Sequence, residues 1–257
     1  MLKKELNTVP TFSILINNYN YETYIHETIE SVLNQSFTDF ELIIVDDGST
    51  DNSKNIINSF KDERIKTIFK KNAGQASTLN IGFKLSRGTY VSFLDSDDLF
   101  DKDKLAQVLD VFKNNNYALV QHQMRIIDKH GNTTGELFPP LKPGELDVFP
   151  LYFQQNRTNY FSATSGITVP RNISRRIFPL PEKEWKICAD APLTRLLPIF
   201  GNVYTLANPV GSYRIHGRNN WQLTREQRTQ SASINMKVNR YINSFLRRSG
   251  IENQIDF

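Results

Sequence analysis

The chain has 257 residues, 39% hydrophobic and 23% charged, and a formal net charge of +4, the balance of an ordinary globular protein with one large domain. So small a positive excess suits anionic ligands or a membrane surface and excludes a nucleic-acid binder, which would show a basic arm or face. A single cysteine, Cys188, cannot form an internal disulfide, the first residues are polar, and no stretch nears the roughly 18 apolar residues of a membrane span; a cytoplasmic location without a signal peptide is the expectation.

Short apolar runs alternate with helical spacing through the first half. Thr11 to Ile16 reads as a strand covered on both faces, and Asn17-Asn18-Tyr19-Asn20 breaks it. Tyr21, Ile25, Ile29, Val32 and Leu33 then recur at helical spacing. Phe40 to Val45 forms a second strand, ended by Asp46-Asp47-Gly48-Ser49-Thr50, where Ser49 or Thr50 is placed to cap the next helix. Ile65 to Phe69 is a third strand, followed by Asn72-Ala73-Gly74-Gln75 and a helix through Leu79, Phe83 and Leu85. Tyr90 to Leu94 is a fourth, ended by Asp95-Ser96-Asp97-Asp98, with a helix through Leu105, Val108 and Phe112. Four βα units in a row predict an α/β protein with a doubly wound, mostly parallel sheet.

The second half is less regular. Ala118 to Ile127 reads as one strand, the proline-rich 138–150 as a surface excursion, Ser165 to Val169 as a strand and Asp190 to Leu197 as a helix. Short strands are expected over Val203 to Leu206 and Pro209 to Arg214. From about Trp221, the residues Ile234, Val238, Tyr241, Ile242 and Phe245 mark an amphipathic helix with Arg240, Arg247 and Arg248 on its flank. Three readings of that helix stand: packing on the core, dimerisation, or contact with an anionic membrane.

Open parallel sheets bind ligands beyond the carboxyl ends of their strands. Here those ends carry Asn17 to Asn20, Asp46-Asp47, Asn72 to Gly74 and Asp95 to Asp98. Two like charges about 5 Å apart repel by roughly 3 kcal/mol at an effective dielectric of 20, so such a rim points to a divalent cation with oxygen ligands, held together with a diphosphate. Helix capping is the plainer reading of Asp-Ser-Asp-Asp. A dinucleotide Gly-x-Gly-x-x-Gly and a P-loop are both missing, and four scattered histidines with one cysteine give no zinc spacing.

Taken in order, these segments resemble the inverting glycosyltransferases of family 2, which have the GT-A fold. The likeness runs from Phe12 to about Asn220: Ser13 to Asn20, with Asn17-Asn18 in place of the usual Pro-Thr; Glu41 to Asp51, almost residue for residue; Asn72, Gly74, Ala76 and Asn80; and Phe93 to Asp98. The resemblance implies a nucleotide-diphosphate sugar donor, a glycan or lipid-linked acceptor and Mn2+ or Mg2+ as cofactor. It implies that Asp47 bonds the base, that Asn17 and Tyr19 border the nucleotide, that Gly74 lets the backbone approach the donor, that Asp95 and Ser96 lie by the donor, and that Asp97 ligates the metal. Lys186 to Leu193 corresponds to the segment carrying the general base, which makes Asp190 that base, with Ala189 in place of the usual preceding acid. Tyr213-Arg214-Ile215-His216 resembles a late segment whose histidine sits near the metal and diphosphate. Trp185 is a candidate sugar platform or a core residue. The implied organisation is a glycosyltransferase domain over 1–220, nucleotide-binding to about 115 and acceptor-binding from 116, then a helical extension over 221–257. A nucleotidyltransferase making sugar nucleotides and a phospho-accepting signalling module are the alternative readings of the acidic strand ends.

Overall fold

A computed structural model gives the fold and describes residues 9–147, 161–217, 219 and 225–250. Strands β1 (Phe12–Asn18), β2 (Phe40–Asp46), β3 (Ile65–Phe69) and β4 (Tyr90–Asp95) alternate with helices α1 (Ile25–Leu33), α2 (Ser53–Ser59) and α3 (Gln75–Leu85). They pair in parallel, in the order β3-β2-β1-β4. Every residue of β2 is buried, because the sheet is covered on both faces and alternate side chains enter different cores. Leu15, Ile43, Val45 and Phe93 pack with Leu79 and Phe83 of α3. Ile14, Ile16, Leu42, Ile44 and Leu94 pack on the other face with Ile25, Ile29 and Val32 of α1. Each such side chain contributes about 1.5–3 kcal/mol on burial.

The second half extends this sheet and adds a smaller one. After β5 (Leu99–Phe100) and α4 (Lys104–Asn114) come β6 (Leu119–Gln121), β7 (Met124–Ile127), β8 (Thr133–Phe138) and β9 (Gly144–Leu146). A single 3-10 turn, Thr164–Gly166, leads into β10 (Ile167–Pro170), then α5 (Arg171–Ser174), α6 (Asp190–Leu196), β11 (Val203–Thr205), β12 (Gly211–Arg214) and α7 (Arg225–Arg248). The large sheet continues β4-β10-β6-β11-β9, with β10 antiparallel to both neighbours, and the small sheet runs β5-β12-β7-β8.

Several expectations are corrected. The run Ala118 to Ile127 is two strands in two sheets: β6 ends at Gln121, the His122 N–H makes a last bond to the carbonyl of Gly166 in the same register, and the chain passes through Gln123 into β7 of the small sheet. Within the supposed excursion, Gly144–Leu146 forms an edge strand against β11, while 148–150 lies outside the described residues. Ser49 does not cap α2; its hydroxyl donates to Asp46. Nor does Asp-Ser-Asp-Asp cap a helix, because β5 follows it and α4 starts only at Lys104. On α7, Val238, Ile242 and Leu246 are buried in the same core as α3, and among the described residues no helix is long and apolar enough to cross a membrane.

The end of the sheet away from the acidic rim is clamped by Glu41. Its carboxylate accepts from Ser13 Oγ (2.6 Å), Arg87 N (2.6 Å) and Lys66 Nζ (2.7 Å). Burial pushes this carboxyl up, but the bonds from Lys66, Ser13 and the Arg87 N–H outweigh it and hold it below its ordinary value of 4.5. A depressed pKa stabilises the fold above the unfolded value, and the contribution is lost as pH falls through the folded one. Glu41→Gln is expected to cost about 1–3 kcal/mol at pH 7, read as a lower denaturation midpoint, with a shrinking difference from wild type below pH ~4.

Candidate active site

The carboxyl ends of β1 and β2 are built by side chains that fold the loops onto one another. Asp46 Oδ1 accepts the N–H groups of Gly48 (3.1 Å) and Ser49 (2.9 Å), while Oδ2 accepts from Asn18 Nδ2 (2.7 Å). Asn20, at φ 59°, accepts the Thr50 N–H at 2.8 Å. Tyr19 is left 45% exposed at the mouth of this crossing. Asn17 lies in register with Val45 and with Asp95.

Asp47 points the other way. Its Oδ1 accepts from Lys70 Nζ and the Ala73 N–H, and its Oδ2 accepts the Gly74 N–H at 2.7 Å. The carboxylate that the resemblance places on the base is therefore also the tether of the loop from Asn72 to Gly74. Gly74 has φ +96°, and a Cβ there would meet Lys186 Cα at 2.7 Å. The close approach that demands glycine in this structure is to Lys186, in the segment preceding Asp190.

At the end of β4 four carboxylates converge. Ser165 Oγ accepts the Asp95 N–H (3.0 Å) and donates to Asp98 Oδ2 (2.6 Å), and Asp98 Oδ1 accepts the Arg214 N–H (3.0 Å). The turn Thr164–Gly166 is held from beneath by Lys104, whose buried Nζ donates to the Ser165 carbonyl at 2.6 Å. Thr164 lies near enough to Asp95 and to Asp190 to lower both, and the charge of Asp190 acts on Asp95, so the acid at the head of α6 stands beside those at the end of β4. Burial, then the charges of Asp97 and Asp190, push Asp95 up to about 7. Burial, then Asp97 and Asp95, push Asp98 up as well. Asp190 is raised by burial, partly offset by Thr164 and by backbone N–H groups at the start of α6. Oδ1 of Asp95 and Oδ1 of Asn17 are buried with no hydrogen-bond partner among the described residues.

Asp97 is 6% exposed, more buried than Asp95 and Asp190. His216 Nε2 lies 2.9 Å from its Oδ2, and Asn219 Nδ2 lies 3.4 Å away. The imidazole is stacked on Tyr24, with ring centroids 4.9 Å apart, and Tyr21 meets it edge-on. Behind it the buried Arg214 donates Nε to the Asp97 carbonyl (2.9 Å) and Nη2 to Glu27 (2.6 Å). Burial and the nearby aspartates raise the phenols of Tyr21 and Tyr213, which places both hydroxyls in the field of the acidic cluster. Among the described residues no three His, Cys, Asp or Glu side chains form a ready-made metal shell.

Asp95, Asp97, His216 and Asp190 are thus brought together, with Asn17 beside them, and Asp47 and Tyr19 on the neighbouring strand ends. Ser96 is 1% exposed, and its hydroxyl donates to the Asn17 carbonyl at 2.8 Å. Trp185 is 1% exposed, packed against Tyr241 and beneath Lys237, which makes it core rather than a sugar platform. Sequence reasoning passed over Thr164, Lys70 and Tyr21. Lys70 carried a signal, a cation at a strand end facing acids, whereas Thr164 carried none.

Residues 13–178 match the profile of glycosyl transferase family 2, and the chain belongs to that family. It is 35% identical over 251 residues to a glycosyltransferase of Nostoc sp., covering 95% of this chain and 78% of that one. Chondroitin synthase of Escherichia coli is 41% identical over 130 residues, covering 49% of this chain but 19% of the synthase. Among solved structures, S. aureus TarS 1-349 in complex with UDP-GlcNAc superimposes with a TM-score of 0.67 at 19% identity, covering 95% of this chain and 73% of that one. The fold is GT-A and the protein is a glycosyltransferase; family membership sets aside the nucleotidyltransferase and signalling readings.

Proposed function

We propose that this protein transfers a sugar from a UDP-sugar to a glycan or lipid-linked acceptor by a single inverting displacement, with Asp190 as general base. The observation that carries the reading is the closeness of Asp190 to Asp95, near enough for the charge of one to raise the other, with Thr164 beside both. It puts a proton acceptor from the second half beside the acidic rim that ends the nucleotide-binding half. Its raised pKa suits it to take a proton from an attacking hydroxyl. The UDP-GlcNAc complex of TarS and the polysaccharide product in the name of chondroitin synthase favour a UDP-sugar and a glycan.

The donor set fits a hard divalent ion. Asp97, with His216 beside it, offers one or two protein ligands, and the partnerless Asp95 oxygen is a buried acceptor facing like charge. Mg2+ and Mn2+ characteristically take few protein ligands and complete their shells with phosphate and water. Such an ion, when bound, would neutralise charge on the departing diphosphate. Asp47 acts on the nucleotide through the loop it tethers, and Arg214 fixes the Asp97 backbone.

A panel of UDP-, GDP- and dTDP-sugars, each with Mn2+, Mg2+ or EDTA, tests the reading through release of nucleoside diphosphate. Release from a UDP-sugar, suppressed by EDTA, is expected. No release from any donor would sink it, whether or not calorimetry shows nucleoside diphosphate binding.

A further inference from the structure

We infer that Gln75 is a positioning residue for Asp190: its side-chain amide, carried on the donor-side loop, fixes the segment that presents the base. The inference rests on the reading of Asp190 given above. Gln75 is the first residue of α3, and no side chain caps that helix. Its first free N–H groups are instead taken by the later segment, with Gln75 N donating to the Lys186 carbonyl (2.8 Å) and Ala76 N to that of Trp185 (3.0 Å). The Gln75 side chain then reaches across 114 positions of sequence, where its Oε1 accepts the N–H of Ala189 at 2.8 Å. Ala189 is the residue immediately before Asp190.

One residue thus grips both ends of the turn from Lys186 to Ala189. Between them Cys188 is held at φ 55°, a left-handed conformation that a non-glycine residue keeps only where its surroundings impose it. Gly74 allows the two segments to touch, and Asp47 holds Ala73 and Gly74 from the opposite side. A continuous set of contacts therefore runs from the end of β2 to the head of α6. The consequence is geometric: the donor-side loop and the base are set by the same few bonds, and a base displaced by about 1 Å loses on the order of 10²-fold in rate.

Gln75→Met keeps length and both backbone bonds but removes the acceptor oxygen, while Gln75→Glu restores an acceptor. In Gln75→Met, kcat is expected to fall about 10–100-fold, with donor KM, UDP affinity and Tm near wild type, and with faster amide exchange at Ala189. Gln75→Glu is expected to recover most of the turnover and the protection. Unchanged kcat in Gln75→Met overturns the inference, as does a loss of turnover matched by an equal loss of UDP affinity and stability. A wild-type protein that binds UDP but transfers from no donor overturns the glycosyl-transfer reading, and the role of Gln75 in catalysis with it. An active wild type with an indifferent Gln75→Met overturns only the latter.

Discussion

Asp190→Asn is expected to lower turnover about 10²–10⁴-fold while nucleoside diphosphate affinity stays at the wild-type value. Asparagine has the same shape and is accommodated at the head of α6, so the helix survives. What it cannot do is accept a proton. Because burial raises the carboxyl, the base is lost by protonation at a higher pH than a surface aspartate would be, and kcat/KM should fall on the acid side of neutrality. That limb belongs to the coupled group of Asp190 and Asp95 rather than to one residue. It should be missing from whatever residual activity Asp190→Asn retains. Near-normal turnover in the variant would retire the assignment, and calorimetry with UDP separates a failed base from a failed donor site.

The nucleotide-binding half was legible because its strands must be apolar along their whole length. Phe40 to Val45 is buried on both faces, and the polar residues that end such a run are the ones a parallel sheet presents to ligand. Asp95, Asp97 and Asp190 could be placed for the same reason, each at the boundary of a strong element. Illegible were the contacts that cross the fold. Gln75 to Ala189 spans 114 positions, and Arg214 to Glu27 spans 187; no local pattern encodes either. Thr164 lies outside any periodic run, so its place between two carboxylates follows only from the packing of the 3-10 turn on β4. Ala118 to Ile127 misled because strands of two adjoining sheets have the same apolar character, and only His122 and Gln123 separate them. Gly74 was marked for a close approach to the donor, and the approach seen in the structure is to Lys186: a glycine specifies that something is near without specifying what.

Asp97→Asn is expected to act in opposite directions on activity and on stability. The negative charge at Asp97 raises the pKa of both Asp95 and Asp98, so in EDTA the three carboxylates repel one another by an amount on the order of 1–3 kcal/mol. Groups whose folded pKa lies above the unfolded value stabilise the fold fully below the latter, and that contribution is lost as pH rises through the former. For Asp95 the window runs from 3.8 to about 7. The wild type in EDTA should therefore lose stability across this window more steeply than Asp97→Asn, and at pH 8 the variant should melt higher. With Mn2+ and UDP the order should reverse, because a ligand at 100 times its Kd adds about 2.7 kcal/mol to the protein that binds it. The same substitution should reduce turnover by roughly 10³-fold, in keeping with the several kcal/mol that charge neutralisation contributes to a departing diphosphate. Melting curves at pH 5.5 and 8, with EDTA or with Mn2+ and UDP, read both effects at once. If Asp97→Asn instead melts lower than wild type in EDTA, the acidic cluster is a structural network, and neither its repulsion nor a cation explains why it persists.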